Sequence, residues 1–225
     1  MGRARLVGMS GSNATTRGRP RRHLDGPPPR PTRDELLAAD GLRIPDLIAP
    51  GLDVLFCGIN PGRYSGATGL HFARPGNRFW RALHEGGFTP TLLQPWHQQA
   101  MLDAGFGITN LAGRTTATAA DLDDEELRRG RIVLARKVAR YKPRAVAIVG
   151  IGAYRVAFNR PRAVIGPQPD PIGTALAWLL PSPSGLNANH QAADLAEAFA
   201  ALRCAIRGRS DWSPAGPGDA GPFLT

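Results

Sequence analysis

The sequence contains few of the residues on which several common chemistries depend. Its two cysteines, Cys57 and Cys204, are too few for a disulfide framework or a four-cysteine metal cluster. Its five histidines show no metal-ligand spacing, so we expect neither a metal nor another cofactor. No apolar run approaches the roughly 18–20 residues that span a bilayer, so we expect no membrane partner. These absences favour a reduced protein in the cytoplasm.

A phosphate-binding loop is absent as well. Pro61 stands where a Gly-x-Gly-x-x-Gly or Walker loop needs free backbone N–H groups, and no Gly-Lys-Ser/Thr follows it. A small-molecule nucleotide-binding protein is therefore disfavoured.

Positive charge is concentrated at the amino terminus. The chain carries a net charge of +10, and residues 1–33 contribute eight arginines against the single acid Asp25. Such a basic segment, rich in proline and glycine, buries too little apolar surface to fold but attracts phosphates without sequence preference. We predict a disordered basic arm over 1–45, one folded domain over 46–208 and a disordered tail over 209–225. The arm either adds phosphate attraction or is a solvated tail without function.

Strand and helix signals alternate through the predicted domain. Strands are predicted at 53–57, 106–111, 144–149 and 175–180, and helices at 77–85, 94–104, 123–140 and 191–207. In the helix at 123–140, Asp123 and Glu126 are expected to form a capping box. The last helix has one apolar face, formed by Leu195, Phe199, Leu202 and Ile206. The pattern predicts an α/β fold: a single three-layer domain with a central, mostly parallel sheet flanked by helices.

Two polar loops, 58–77 and 181–189, each follow a predicted strand. Loops that follow parallel strands share one edge of the sheet, the edge at which open α/β folds bind ligands. The first loop places Asn60 directly after a buried strand. Its uncharged amide can orient a water molecule but is a poor general base. A reaction built on Asn60 therefore needs a leaving group that departs largely on its own.

The two loops carry recognisable motifs. The first reads GINPG at 58–62 and TGLHFARPGNRFW at 68–80, and the second reads LPSPSGL at 180–186. Together they closely resemble the first and second motifs of the mismatch-specific uracil/thymine-DNA glycosylases, the second family of the uracil-DNA glycosylase superfamily. The resemblance spans roughly residues 46–207, nearly the whole predicted domain, and implies a uracil-DNA glycosylase-like fold.

The resemblance implies a monofunctional enzyme that hydrolyses the N-glycosidic bond of uracil, or of a related damaged pyrimidine, opposite guanine in double-stranded DNA. The base is flipped out of the duplex, and Asn60 positions the attacking water. We expect a monomer that acts on nucleoid-associated DNA in the cytoplasm and initiates base-excision repair, followed by an abasic-site endonuclease. The only lysines, Lys137 and Lys142, are far in sequence from both motifs, so no amine is expected for a lyase reaction.

The resemblance also implies roles for individual residues. The catalytic residue is Asn60, and the substrate-binding residues are Gly58, Ile59, Pro61, Gly62, Ser65, Phe72 and Asn77. Phe72 stacks on the flipped base, whereas Asn77 is either a base contact or the cap of the following helix. The loop that intercalates into DNA comprises Ser184, Gly185, Leu186 and Asn187, with Leu186 as the wedge that fills the vacated stack.

Two departures from related families bear on the reaction rate. Efficient and single-strand-active relatives have a histidine where this chain has Leu180, and the efficient family has an aspartate near the position of Asn60. Both differences predict slow chemistry. Two alternatives remain open: a mismatch- or lesion-binding DNA module with negligible turnover, and a single-strand-selective type of uracil glycosylase. The preferred lesion, whether uracil, thymine or an exocyclic cytosine adduct, also remains open.

Overall fold

The computed structural model describes residues 26–185 and 191–208. Within these ranges the strands are β1 (Val54–Gly58), β2 (Phe106–Asn110), β3 (Ala145–Val149), β4 (Gly166–Pro167) and β5 (Leu176–Leu180). The helices are α1 (Arg33–Ala38), α2 (Arg63–Thr68), α3 (Phe79–Glu85), α4 (Gln98–Asp103), α5 (Asp124–Tyr141), α6 (Ile151–Ala157) and α7 (Ala192–Arg207). None of these described helices is long and apolar enough to cross a membrane.

The strands form a five-stranded sheet in the order β2-β1-β3-β5-β4. Strands β1, β2, β3 and β5 run parallel, and the two-residue β4 pairs antiparallel with β5. The residues of β1 and β3 are buried throughout, because helices cover both faces of a parallel sheet. The prediction of a central, mostly parallel sheet is confirmed.

Alternate side chains of β1 point to two helical layers. On one face, Phe56 contacts Phe79 of α3 and Phe199 of α7, with ring centroids 5.4 and 5.7 Å apart. On the other face, Leu55 belongs to an apolar cluster that includes Leu134 of α5 and residues of α6. The domain is therefore three-layered, as predicted, and its two cores hold the strand ends in register at one edge.

Helix α5 occupies the predicted segment, but the predicted capping box does not form. The carboxylate of Asp123 accepts the N–H of Glu126 at 2.6 Å, as expected of a helix cap. The side chain of Glu126 instead accepts two hydrogen bonds from Arg114, at 2.7 and 2.9 Å. The loop between β2 and α5 is thereby tied to the first turn of α5.

The other predicted helices are present, with shifted starts. The apolar face predicted for the last helix is buried in α7. Helix α3 begins at Phe79 rather than at 77, and the side-chain oxygen of Asn77 accepts the N–H of Phe79 at 2.9 Å. The segment predicted as one helix over 94–104 is a 3-10 turn over Pro95–His97 followed by α4.

Residues 33–43 are ordered, which differs from the disordered arm predicted over 1–45. Thr32 and Glu35 form a capping box at the start of α1, each side chain accepting the other residue's backbone N–H. Arg63 of α2 donates to Asp40 at 3.2 Å, and Ala39 is buried. Residues 1–25 and the predicted tail over 209–225 lie outside the described residues, and the domain bounds stay a prediction.

Candidate active site

A cleft of about 390 Å³ opens at the carboxyl edge of the sheet. It is lined by the loops that follow β1, β2 and β5. This is the edge at which parallel sheets of α/β folds bind ligands. The residues predicted from the first motif that line the cleft are Ile59, Asn60, Pro61, Gly62, Ser65, Phe72 and Asn77, and Ser184 joins them from the loop after β5.

Asn60 is half-buried, and the protein fixes its amide nitrogen. Nδ2 donates to the hydroxyl of Thr116 at 2.6 Å and to the carbonyl oxygens of Pro61 and Arg114 at 3.1 and 3.5 Å. Within residues 26–185 and 191–208, no group donates to its Oδ1. Because acceptors surround the nitrogen, the oxygen is the part of this amide that is available to a molecule in the cleft.

Gly58 underlies the cleft rather than lining it. A Cβ at this position would lie 2.5 Å from Oδ1 of Asn110 and 3.3 Å from Cζ of Phe72. Both of these side chains line the cleft. The lack of a side chain at Gly58 therefore lets a carboxamide and an aromatic ring approach the end of β1.

The ring of Phe72 is stacked on another ring. Its centroid lies 4.0 Å from that of Phe79, and the two planes are inclined by 15°. The backbone of Phe72 has a φ of +50°, a region that residues other than glycine rarely adopt. Since Phe79 is fully buried and Phe72 is half-buried, the core supports one face of a ring that borders the cleft. A planar base can stack on the opposite face.

Ser65 and Asn77 use part of their hydrogen-bonding capacity within the first loop. Oγ of Ser65 accepts the N–H of Ala73 at 3.3 Å, and Oδ1 of Asn77 accepts the N–H of Phe79 at 2.9 Å. Asn77 therefore lies in the cleft wall and at the start of α3 at the same time. Both roles considered for Asn77 are compatible with this geometry.

The loop after β5 is bound to the loop after β1 through one arginine. The backbone N–H of Arg78 donates to the carbonyl oxygen of Pro183 at 3.0 Å, and its Nη2 donates to that of Ser184 at 2.9 Å. These bonds hold the described part of the second motif against the first.

Gly185 extends this contact between the two loops. A Cβ at this position would lie 2.9 Å from the carbonyl oxygen of Gly76, so the two backbones come closer than a side chain would allow. Leu186 and Asn187, which complete the predicted intercalating loop, lie outside the described residues.

The chain matches a known family over most of the domain that carries this cleft. The family model described as the uracil DNA glycosylase superfamily matches residues 45–203, which is well over half of the chain. The chain belongs to the uracil DNA glycosylase superfamily. Membership makes DNA its partner and implies a DNA glycosylase, a hydrolase of DNA repair.

A solved structure shares the fold of this superfamily member. The solution NMR structure of a Methanosarcina acetivorans protein, named as a candidate uracil DNA glycosylase, matches with a TM-score of 0.50 and 18% sequence identity. The match covers 74% of this chain and 98% of that chain. At this identity the likeness shows the fold alone, and the predicted uracil-DNA glycosylase-like fold is confirmed.

Two residues that line the cleft of this chain, Asn110 and Thr116, are missing from the sequence-based prediction. Asn110 ends β2 and lines the cleft, and its carboxamide has no hydrogen-bond partner among the described residues. The argument that singled out Asn60 applies equally to Asn110, since both are polar residues at the ends of neighbouring parallel strands. Thr116 gives no such signal, because it lies within an irregular stretch of threonines and alanines.

Neither lysine nor cysteine lines this cleft. Lys137 of α5 instead donates to Asp46 at 2.6 Å and to Thr109 of β2 at 2.7 Å. Burial raises the pKa of the Cys57 thiol to about 12, so this thiol stays protonated near neutral pH. No group of three or more His, Cys, Asp or Glu residues that could hold a metal ion occurs in the described part of the chain.

Proposed function

We propose that this protein is a monofunctional, mismatch-specific uracil-DNA glycosylase of the second family of the superfamily. It removes uracil, or a related damaged pyrimidine, opposite guanine in double-stranded DNA, and leaves an abasic site for an endonuclease. The observation that carries the proposal is that Asn60 and Ser184, from the two motifs recognised in the sequence, line one cleft.

The proposed reaction breaks the bond between the sugar and the base. It proceeds towards an oxocarbenium-like sugar and a delocalised base anion, so the attacking water need not lose its proton early. An amide that holds this water below the anomeric carbon is then sufficient. Asn60 suits this task, because its Nδ2 is bound to three acceptors and its Oδ1 can accept a hydrogen bond from the water.

Phe72 and Asn110 supply recognition of the flipped base in this proposal. The Phe72 ring, supported by Phe79, offers a face on which a pyrimidine stacks. The carboxamide of Asn110 has both donor and acceptor groups, so it can pair with an adjacent N–H and C=O of uracil. Main-chain N–H groups of the 58–62 turn stabilise the base anion as it forms.

The target base must leave the duplex before it can enter such a cleft. Flipping costs about a few kcal/mol, and a guanine·uracil mismatch lowers this cost because its pairing is weaker. The loop after β5 continues from the cleft wall towards the predicted wedge Leu186, which fills the space that the base vacates. Preference for mismatched uracil then follows from the lower cost of flipping.

Slow hydrolysis without strand cleavage is expected from the residues present. Leu180 is fully buried at the end of β5, and an apolar side chain cannot donate a hydrogen bond to the base anion. No lysine lines the cleft to form a Schiff base with the sugar. Catalysis therefore depends on Asn60, on backbone groups and on contacts with DNA.

Single-turnover cleavage of a duplex with one guanine·uracil mismatch tests this proposal. Adenine·uracil and single-stranded substrates are run beside it, together with Asn60→Ala. We expect abasic sites to form fastest at the mismatch and the rate to fall by about a hundredfold or more in Asn60→Ala. Binding of the mismatch by Asn60→Ala, measured by gel shift, shows that the variant is folded.

The same substrates decide between the alternatives. If the wild-type protein binds the mismatch but cleaves no substrate, the protein is a DNA-binding module and the proposed function is wrong. Faster cleavage of single-stranded DNA favours a single-strand-selective type of uracil glycosylase. Duplexes with thymine or an exocyclic cytosine adduct opposite guanine identify the preferred lesion.

A further inference from the structure

The single hydroxyl proton of Thr116 is already used in a hydrogen bond within the protein. Its Oγ1 donates to the carbonyl oxygen of Thr118 at 2.5 Å and accepts a hydrogen from Nδ2 of Asn60 at 2.6 Å. The residue is 2% exposed, so bulk water does not compete for these bonds. Since a hydroxyl has one proton, Thr116 can act only as an acceptor towards Asn60 while it is bound to Thr118.

The three groups that are hydrogen-bonded to Nδ2 of Asn60 all act as acceptors. Besides Thr116, they are the carbonyl oxygens of Pro61 and Arg114, at 3.1 and 3.5 Å from Nδ2. If the amide turned over, its Oδ1 would face these three acceptors while Thr116 keeps its bond to Thr118. Lone pairs facing one another without a proton are unfavourable. The surroundings therefore select the orientation that leaves Oδ1 for the cleft.

We infer that Thr116 is a positioning residue for the hydrolysis, and that its acceptor role selects an amide rather than a carboxylate at position 60. The inference rests on the proposed function, because it concerns the water that Asn60 holds. An aspartate at position 60 would direct an anionic oxygen at the same acceptors, unless Thr116 gave up its bond to Thr118. The absence of an aspartate here thus has a physical reason.

The backbone around Thr116 is braced from two directions. The N–H of Gly41 donates to the carbonyl oxygen of Thr115 at 2.9 Å, and the N–H of Thr115 donates to that of Leu42 at 2.8 Å. On the other side, a carboxylate of α5 accepts two hydrogen bonds from the guanidinium of Arg114. These contacts hold the Thr116 hydroxyl in place before DNA binds, so the orientation of Asn60 is set in advance.

The test compares two substitutions of Thr116. Thr116→Val keeps the shape of the side chain but removes the acceptor, whereas Thr116→Ser keeps the acceptor. Thr89→Val is the matched control, because Thr89 is also buried and its hydroxyl also donates to the carbonyl two residues on, at 2.9 Å from Thr91. Thr89 does not line the cleft.

The expected result is a selective loss of rate in one variant. In single-turnover reactions on a guanine·uracil duplex at saturating enzyme, Thr116→Val lowers the maximal rate about tenfold or more. The enzyme concentration at half-saturation does not change, because DNA contacts are intact. Thr116→Ser and Thr89→Val retain the wild-type rate. Equal losses in Thr116→Val and Thr116→Ser would indicate packing alone and would overturn the inference, as would no loss in Thr116→Val.

A second readout separates this inference from the proposed function. The side-chain amide resonances of Asn60, observed by ¹⁵N–¹H NMR without DNA, should shift in Thr116→Val and keep their positions in Thr116→Ser. If the wild type cleaves no uracil substrate, the proposed function fails and these resonances still decide how Asn60 is held. If Thr116→Val does not fold, Thr116→Ala takes its place in both measurements. Unchanged resonances in a folded variant without the acceptor would overturn the inference.

Discussion

Nη2 of Arg78 donates a hydrogen bond of 2.9 Å to the carbonyl oxygen of Ser184 and so joins two of the loops that line the cleft, those after β1 and β5. The backbone N–H of Arg78 binds the same loop at Pro183. The segment that leads to the predicted DNA wedge is therefore held by the loop that also carries Asn60.

Replacement of Arg78 by methionine should weaken productive binding of guanine·uracil duplexes. A hydrogen bond from a charged group contributes about 1.5–3 kcal/mol. Its loss should raise the enzyme concentration at half-saturation about tenfold or more in single-turnover titrations. Arg81→Met is the control, since Arg81 is largely exposed and pairs with Glu85 on the surface of α3.

A salt titration of the Arg78→Met variant distinguishes the loop role from a direct phosphate contact. If Arg78 acts through Ser184, the slope of log K against log salt concentration remains that of the wild type. A slope that becomes shallower by about 0.9 would identify a lost phosphate contact and would contradict the loop role.

Alanine at position 58 should impair catalysis more than folding. Its Cβ would lie 2.5 Å from Oδ1 of Asn110, and that carboxamide can turn away because it borders the cleft. We expect the single-turnover rate of Gly58→Ala to fall about tenfold or more, while thermal unfolding changes little. Asn110→Ala should show a similar loss. Wild-type activity in Gly58→Ala would show that this close approach is not required.

Two amino-terminal deletions should have different consequences. Residues 1–25 carry six arginines and one acid, so their removal should make the salt dependence of DNA binding shallower without changing the maximal rate. Removal of residues 1–44 also breaks the backbone hydrogen bonds of Gly41 and Leu42 to Thr115. The longer deletion should therefore lower both Tm and the maximal rate.

Thermal melts and salt titrations of the two deletions measure these effects. If removal of residues 1–25 leaves the salt dependence of DNA binding unchanged, that segment does not contribute to DNA binding. Equal Tm values for the two deletions would contradict the structural role of residues 26–44.

Iodoacetamide should modify Cys204 and spare Cys57 in the native protein. Cys57 is fully buried in β1, and burial raises the pKa of its thiol to about 12, whereas Cys204 is exposed on α7. At about pH 8 the reactive thiolate of Cys57 is negligible in the folded state. Both cysteines should react in denaturant, where Cys57 is no longer buried. Peptide mapping by mass spectrometry measures both, and native-state labelling of Cys57 would contradict its burial.

Local pattern in the sequence was sufficient for the strands and helices that are long or uniformly apolar. The buried runs of β1 and β3 and the helical spacing in α7 are signals within a few residues of each other. The cap of α5 is likewise a contact between neighbours, Asp123 and Glu126. The motifs at 58–62 and 180–186 also lie within short stretches, so the superfamily and most of the first-loop residues of the cleft could be recognised without a structure.

Other features were decided by tertiary structure. Helix α1 has six residues, too few to be stable alone, and it persists where Asp40 binds Arg63 of α2. The two-residue β4 is defined by its pairing with β5. Glu126 does not form its predicted capping bond because its carboxylate binds Arg114, which comes close to it only in the folded chain.

The arrangement around Asn60 is the clearest case. Asn60 and Thr116 are separated by 56 positions in the chain, and Asn110 meets Gly58 because β1 and β2 pair in parallel register. Periodicity and capping report on interactions within a turn or two, whereas a hydrogen bond between distant loops depends on the packing of the whole sheet. By itself, the sequence predicted Asn60 as the residue that holds the water. The tertiary structure determined which way its amide faces, because the acceptors that select that orientation come together only when the sheet has formed.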